Sequence, residues 1–215
     1  MSERGKRAWF GATAGCALVG VLLSAITAAN NGNGHFHPAA ARAANTFAFF
    51  TIDSNLLVAL ATGLLALSLG RSSTGFAVLR LTGLVAITVT GIVFHVALAQ
   101  MLDLTGWDAV ANELVHTVVP VMAVVGWLLA GPRGLFTKNV VWWSLSFPVC
   151  WLAFTLIRGA VAHWYPYPFI DVTQLGYGRA VVNCVWVAVL MLGVAAGATT
   201  LDRRLGPRRD RELIT

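Results

Sequence analysis

The sequence predicts an all-α membrane protein, a single six-helix transmembrane domain over residues 1–215. Three observations carry the prediction. Hydrophobic residues make up 57% of the chain and charged residues only 11%, a composition whose solvent is lipid. Six apolar stretches each approach the roughly 20 residues that a helix needs to cross about 30 Å of hydrocarbon. Lysine and arginine, finally, concentrate in alternate connections between those stretches.

The spans are expected near residues 8–29, 46–70, 76–100, 111–130, 139–162 and 178–200. The first follows Arg4, Lys6 and Arg7 like a signal peptide, but its apolar run outlasts a signal core, which predicts a retained helix. Asn30, Asn31, Gly32, Asn33 and Gly34 form a turn-rich connection to the second span. From Leu56 to Leu69 the second span is apolar without alternation, which excludes a barrel strand and leaves a helix to pair the backbone in lipid. The third and fourth spans are bounded by Arg71 and by the breaking run Gly131, Pro132, Arg133 and Gly134. Pro148 is expected to kink the fifth span, no other span reads as interrupted near its middle, and Pro166 and Pro168 break the chain before the sixth. Cys16, Cys150 and Cys184 lie inside apolar stretches as small hydrophobes, with neither zinc spacing nor a disulfide framework.

Orientation follows from the cations. Arg4, Lys6, Arg7, Arg71, Arg80, Arg133, Lys138, Arg203, Arg204, Arg208, Arg209 and Arg211 all fall on one side of six spans. The opposite connections hold Arg42, Arg158 and Arg179 against Asp103, Asp108, Glu113 and Asp171. Both termini are therefore expected in the cytoplasm. A pI near 9.9 would suit nucleic acid, but the cations flank apolar runs, so the expected partners are membrane lipids and not nucleic acid. Richness in alanine, glycine and arginine points to a bacterial plasma membrane. Nothing in the sequence sets an oligomeric state.

With this topology His35, His37, His95, His116 and His163 all come out on the non-cytoplasmic half, with Asp53, Asn55, Asn112, Arg158, Asp171 and Asn183. Ionisable groups at membrane depth are costly and face a bundle interior or a wet cavity, so Asp53, His95, His116 and Arg158 mark a polar pocket open to the outer leaflet. The alternative is a structural Asp53–Arg158 ion pair with the histidines at the interface. Thr51 and His116 each lie about five residues, roughly 7 Å, inside helices that enter from the same side, which lets them share a layer. A threonine hydroxyl becomes a nucleophile when a base takes its proton, and a neutral histidine is such a base. The structural alternatives are a threonine bonded to its own helix and a histidine that packs helices together.

Three segments occur in a recognisable order: Phe49-Phe50-Thr51-Ile52-Asp53-Ser54-Asn55-Leu56, Val115-His116-Thr117-Val118-Val119-Pro120, and Trp164-Tyr165-Pro166-Tyr167-Pro168-Phe169-Ile170-Asp171. Together, across residues 47–185, they resemble the androgen-induced family of six-spanning membrane threonine hydrolases. The resemblance implies a fatty-acyl ester hydrolase without a cofactor, with Thr51 and His116 as the catalytic pair. In characterised animal members the substrates are fatty acid esters of hydroxy fatty acids. Ile52-Asp53-Ser54-Asn55, and Asp171 where animal members tend to carry glutamate, depart from the animal pattern and look like the bacterial branch.

The expected reaction has Thr51 attack a lipid ester that arrives sideways from the outer leaflet, with His116 as base and then acid. Asn55, Asn112, Asn183 and Arg158 are the candidate oxyanion donors, and Asp53 or Asp171 the candidate carboxylate that orients His116. Asp171 could equally cap the sixth helix. Trp164, Tyr165 and Tyr167 read as interface anchors, with shaping of the pocket mouth as the alternative, and Phe47, Phe49, Phe50, Phe94 and Trp151 as packing or as an acyl channel. Two other functions compete. The five histidines could converge on a metal ion, although none has the spacing of His-Glu-x-x-His. A lipid-binding or transport protein without chemistry would usually show broken helices. A serine protease is disfavoured, since no Gly-x-Ser-x-Gly occurs and Ser54 is followed by Asn55 and Leu56.

Overall fold

The computed structural model describes residues 1–32 and 34–206. Arg208, Arg209 and Arg211 of the tail, and Asn33 of the first connection, lie outside the described residues. Six helices are long and apolar enough to cross a membrane, and no strand occurs among the described residues. They are α1 (Glu3–Asn30), α2 (Phe50–Leu67), α3 (Thr74–Met101), α4 (Gly106–Ala130), α5 (Lys138–Ala162) and α6 (Val172–Leu205). A short helix, Ala39–Asn45, lies between α1 and α2.

Local chemistry sets the ends. Ser2 accepts a hydrogen bond from Gly5 N at 3.2 Å and Glu3 occupies the first turn, so α1 starts with a cap and a favourable charge. Ser73 and Thr137 cap α3 and α5 in the same way. One face of α1 is buried at Phe10, Thr13, Ala14, Ala17, Gly20 and Val21, a helical spacing of small residues that lets it pack closely on α2. Leu18, Val19, Leu22 and Ile26 on its other face are exposed, as lipid contact requires.

α3 is the most buried span, and α1, α2 and α4 form the packed core around it. α6 and the first half of α5 rest on its far side, while the second half of α5 packs little on its neighbours. The result is an open cleft bounded by α2, α3, α5 and α6.

Five of the spans differ in course or bounds from those expected. A 3₁₀ turn, Thr46–Ala48, precedes α2, and extended Phe49 separates the two, so the helix starts at Phe50 rather than at 46. Hydropathy reads through such a break because every residue there is apolar or small. α4 begins at Gly106, earlier than the expected 111, because Gly106 takes φ 59° after Thr105 and the polar first turns are invisible to a hydropathy scan. π turns interrupt α3 at Phe94–Leu98 and α4 at Leu114–Val118. α5 breaks at Leu145, three residues before Pro148, which therefore sits in the first turn of the second half where its missing N–H is harmless. In α6 Gly176 has φ 71°, so the straight part of that helix begins close to the expected 178.

Candidate active site

Thr51 is the second residue of α2, in the turn whose N–H groups have no partner within the helix. His116 is the eleventh residue of α4, in the middle of its π turn. The two are thus not equally far into their helices, yet they meet. Thr51 Oγ1 lies 3.2 Å from His116 Nε2, and Thr51 is only 6% exposed. The other imidazole nitrogen, Nδ1, is 3.1 Å from the Asn112 carbonyl. A carbonyl only accepts, so Nδ1 carries the proton and Nε2 is left to accept from the Thr51 hydroxyl. His116 lies within the π turn, and its ring reaches back one α-turn to the Asn112 carbonyl. Phe94 closes the other side by stacking on the imidazole, with centroids 4.0 Å apart and planes at 16°.

Tyr167 completes the chain of hydrogen bonds. Its Oη is 3.1 Å from Thr51 Oγ1 and accepts from Thr51 N at 3.1 Å. With its oxygen accepting from the backbone and the threonine proton committed to His116, the phenol donates to Thr51 Oγ1. Burial pushes the Tyr167 phenol up to about 12, against the opposing pull of its hydrogen bonds with Thr51 and the Phe50 backbone, so it stays a neutral donor. Pro168 holds Tyr167 extended at φ −134° and ψ 137°, and Phe49, Trp151 and Phe169 pack around its ring. The connection is pinned further by Tyr165, whose ring lies so close to Gly159 that a Cβ there would meet it at 2.1 Å.

Two cavities share this centre. The first, about 300 Å³, fills the cleft of α2, α3, α5 and α6 and is lined by Phe50, Val93, Trp151, Val187, Met191 and other apolar residues. The second, about 360 Å³, lies toward the ends of α1 and α4 and includes Ser24, Thr27, Thr46, Asp108 and Asn112. Thr51, Phe94, Leu98, His116 and Tyr167 line both. Phe47 is 48% exposed and lines neither, whereas Phe49 borders the second cavity and Phe50, Phe94 and Trp151 the first.

The remaining expected site residues have other employment. Asn55 is fully buried and clamps α2 to α4, donating to Thr51 O at 2.8 Å and Val115 O at 3.1 Å. Both donors are spent, so Asn55 is not an oxyanion donor, and its Oδ1 is buried without a partner. Asn183 donates to Phe169 O at 2.8 Å and orders the connection before α6. Asn112 borders the second cavity and serves His116 through its backbone. Arg158 donates to Asn45 Oδ1 at 2.6 Å and lies over the rings of Phe36 and Trp164, which corrects both the Asp53–Arg158 ion pair and the oxyanion role.

Neither carboxylate orients the imidazole. Asp171 caps α6, accepting from Thr173 N, Thr173 Oγ1 and Gln174 Nε2, and those bonds outweigh burial and hold its carboxyl below the usual range. Asp53 stands in the first turn of α2, where the helix dipole favours a negative charge. His95 is exposed and bonds Thr117 Oγ1 at 3.0 Å, outside both cavities. The metal reading loses its ligand set, since among the described residues no three His, Cys, Asp or Glu side chains come together.

Tyr167 is the residue that sequence reasoning missed, because a tyrosine beside a membrane looks like an anchor. A signal was there: prolines on both sides fix its backbone, as a placed side chain requires and an anchor does not. Tyr165 is likewise buried and not at an interface. No protein-family model, curated protein or solved structure matches this chain.

Proposed function

We propose that the protein is an intramembrane ester hydrolase that cleaves a fatty-acyl ester with a threonine nucleophile. The single observation that carries the reading is the continuous hydrogen-bonded run from the Asn112 carbonyl through His116 and Thr51 to Tyr167. Thr51 Oγ1 attacks the ester carbonyl while His116 Nε2 takes its proton. Tyr167 turns its O–H to the developing oxyanion. As the tetrahedral intermediate collapses, the alcohol leaves with the proton from His116, and an acyl-threonine ester remains. Water then attacks that ester, His116 takes its proton and returns it to Thr51 Oγ1, and the fatty acid departs. The resemblance in the three sequence segments supports the same reaction type. The bias of lysine and arginine toward alternate connections supports cytoplasmic termini with the site toward the other face, and richness in alanine, glycine and arginine supports a bacterial plasma membrane.

The test compares purified wild type with Thr51→Ala and His116→Ala on acyl esters, alongside fluorophosphonate labelling. Turnover and labelling should vanish in Thr51→Ala. Turnover retained by that variant would end the nucleophile assignment. A lipid carrier without chemistry is the second reading, favoured by the open apolar cavity between α5 and α6. It would bind acyl chains equally well in wild type and Thr51→Ala and hydrolyse in neither.

A further inference from the structure

Because the two cavities meet at Thr51, an ester whose carbonyl sits there must put its acyl chain in one and its alcohol half in the other. Their chemistry decides which. No Asp, Glu, Lys or Arg lines the first cavity, and its walls are aliphatic and aromatic. The second is also largely apolar, with Phe49, Ile52, Met101 and Leu104 in its walls, but it alone is bordered by Ser24, Thr27, Thr46 and the Asp108 carboxylate. Resting on the hydrolase reading above, we infer that the second cavity takes an uncharged, hydroxyl-bearing alcohol of the glycerol type and discriminates against an alcohol that carries a free carboxylate.

The argument is a count of donors and acceptors. Ser24 Oγ already donates to Gly20 O at 2.8 Å, Thr27 Oγ1 to Ser24 O at 3.3 Å, and Thr46 Oγ1 to Arg42 O at 3.5 Å. Each hydroxyl therefore offers the cavity only its lone pairs, and Asp108 adds a carboxylate, which also only accepts. A glycerol hydroxyl supplies the donors these groups need. A carboxylate supplies none, and only the Asn112 amide would be left to meet it.

Charge acts in the same direction. No Lys or Arg lines the second cavity. Arg42, which reaches the neighbouring backbone, commits its guanidinium to the carbonyls of Ala28, Ala29 and Phe36. Asp103 and Glu113 are exposed on the same connection and helix as Asp108, and residues 99–115 contain no cation. A second carboxylate entering there meets like charge with no cation lining the cavity to offset it.

The experiment uses the full chain in a neutral detergent with three esters of one fatty acid: a monoacylglycerol, a hydroxy-fatty-acid ester with its carboxylate free, and the methyl ester of that compound. The expected kcat/KM is highest for the monoacylglycerol, lower for the methyl ester, which brings no hydroxyl donor, and at least about 10-fold lower again for the free acid, a size that an unmatched charge or polar group commonly produces. Asp108→Asn should narrow the gap between free acid and methyl ester. Turnover of the free acid as fast as its methyl ester overturns the inference and leaves the hydrolase reading standing. Cleavage of a p-nitrophenyl acyl ester but of none of the three also overturns the inference alone. No cleavage of any of the four esters removes the hydrolase reading and the inference with it.

Discussion

At the end of the bundle that holds Thr51, the polar atoms from the Asn112 carbonyl to the Thr51 amide each have a partner in one directed chain. At the opposite end Arg80, Arg133 and Asp202 also gather, but Arg80 Nη2, Arg133 Nη1 and Asp202 Oδ1 are buried without a hydrogen bond. There Asp202 accepts from Phe136 N at 3.0 Å and Arg80 donates to Pro132 O at 2.5 Å, which ties α3 and α6 to the connection after α4. Asp202 attracts both guanidiniums there, while the two arginines repel each other. The difference separates two uses of buried polarity. A neutral, fully matched chain fixes donor direction and so prepares chemistry, whereas a charged cluster with orphaned atoms fixes helix ends.

The comparison can be broken most directly at the site. Thr51→Ala and His116→Ala should each lower ester turnover by on the order of 10⁴-fold or more, with thermal unfolding close to wild type. Unfolding that shifts as much as turnover would make the chain structural rather than catalytic. Next in size, Asp202→Ala should cost about 1–3 kcal/mol by leaving the buried Phe136 N–H without its acceptor, while the specific activity of folded protein stays unchanged. A matching loss of kcat would show that the two ends are one unit.

Smaller changes sharpen the same division. Tyr167→Phe keeps the ring packing and removes one donor, which should cut kcat about 10²-fold with little change in KM. Gly159→Ala forces a Cβ into the Tyr165 ring, so it should destabilise the protein by about 1–3 kcal/mol and disturb Tyr167 with it. Loss of stability without loss of activity would show that Tyr167 is held by its aromatic neighbours alone.

The smallest effect concerns pH. The folded Tyr167 phenol lies near 12 against an ordinary 10.0, so the fold binds this proton more tightly than the unfolded chain does. The corresponding stability is fully present below about pH 10 and is lost as pH rises through about 12, so a stability–pH profile should show no slope from Tyr167 between neutrality and the lower value. A stability decline near pH 8 that disappears in Tyr167→Phe would contradict this environment.

Much of the molecule could be read before any coordinates. Lipid admits only helices with self-satisfied backbones, so long apolar runs such as Leu56 to Leu69 fixed the number and type of elements. Segments that carry polar residues into the membrane were also visible, which is why Thr51 and His116 stood out. Boundaries with irregular backbone were not: hydropathy cannot register extended Phe49, the φ of Gly106 or either π turn, since all depend on torsions and not on composition.

By itself the sequence determined an all-helical chain with six candidate spans, and it singled out a hydroxyl and an imidazole suited to chemistry. Only tertiary structure decided that a backbone carbonyl, and neither Asp53 nor Asp171, orients His116. It alone turned Tyr167 inward, put Asn55 and Arg158 to structural use, and made Thr51 the waist between two cavities. The physical reason is that hydropathy is a sum over neighbours in the chain, whereas hydrogen-bond direction is set by groups distant in sequence, such as Thr51 and Tyr167, that packing alone brings within 3.1 Å.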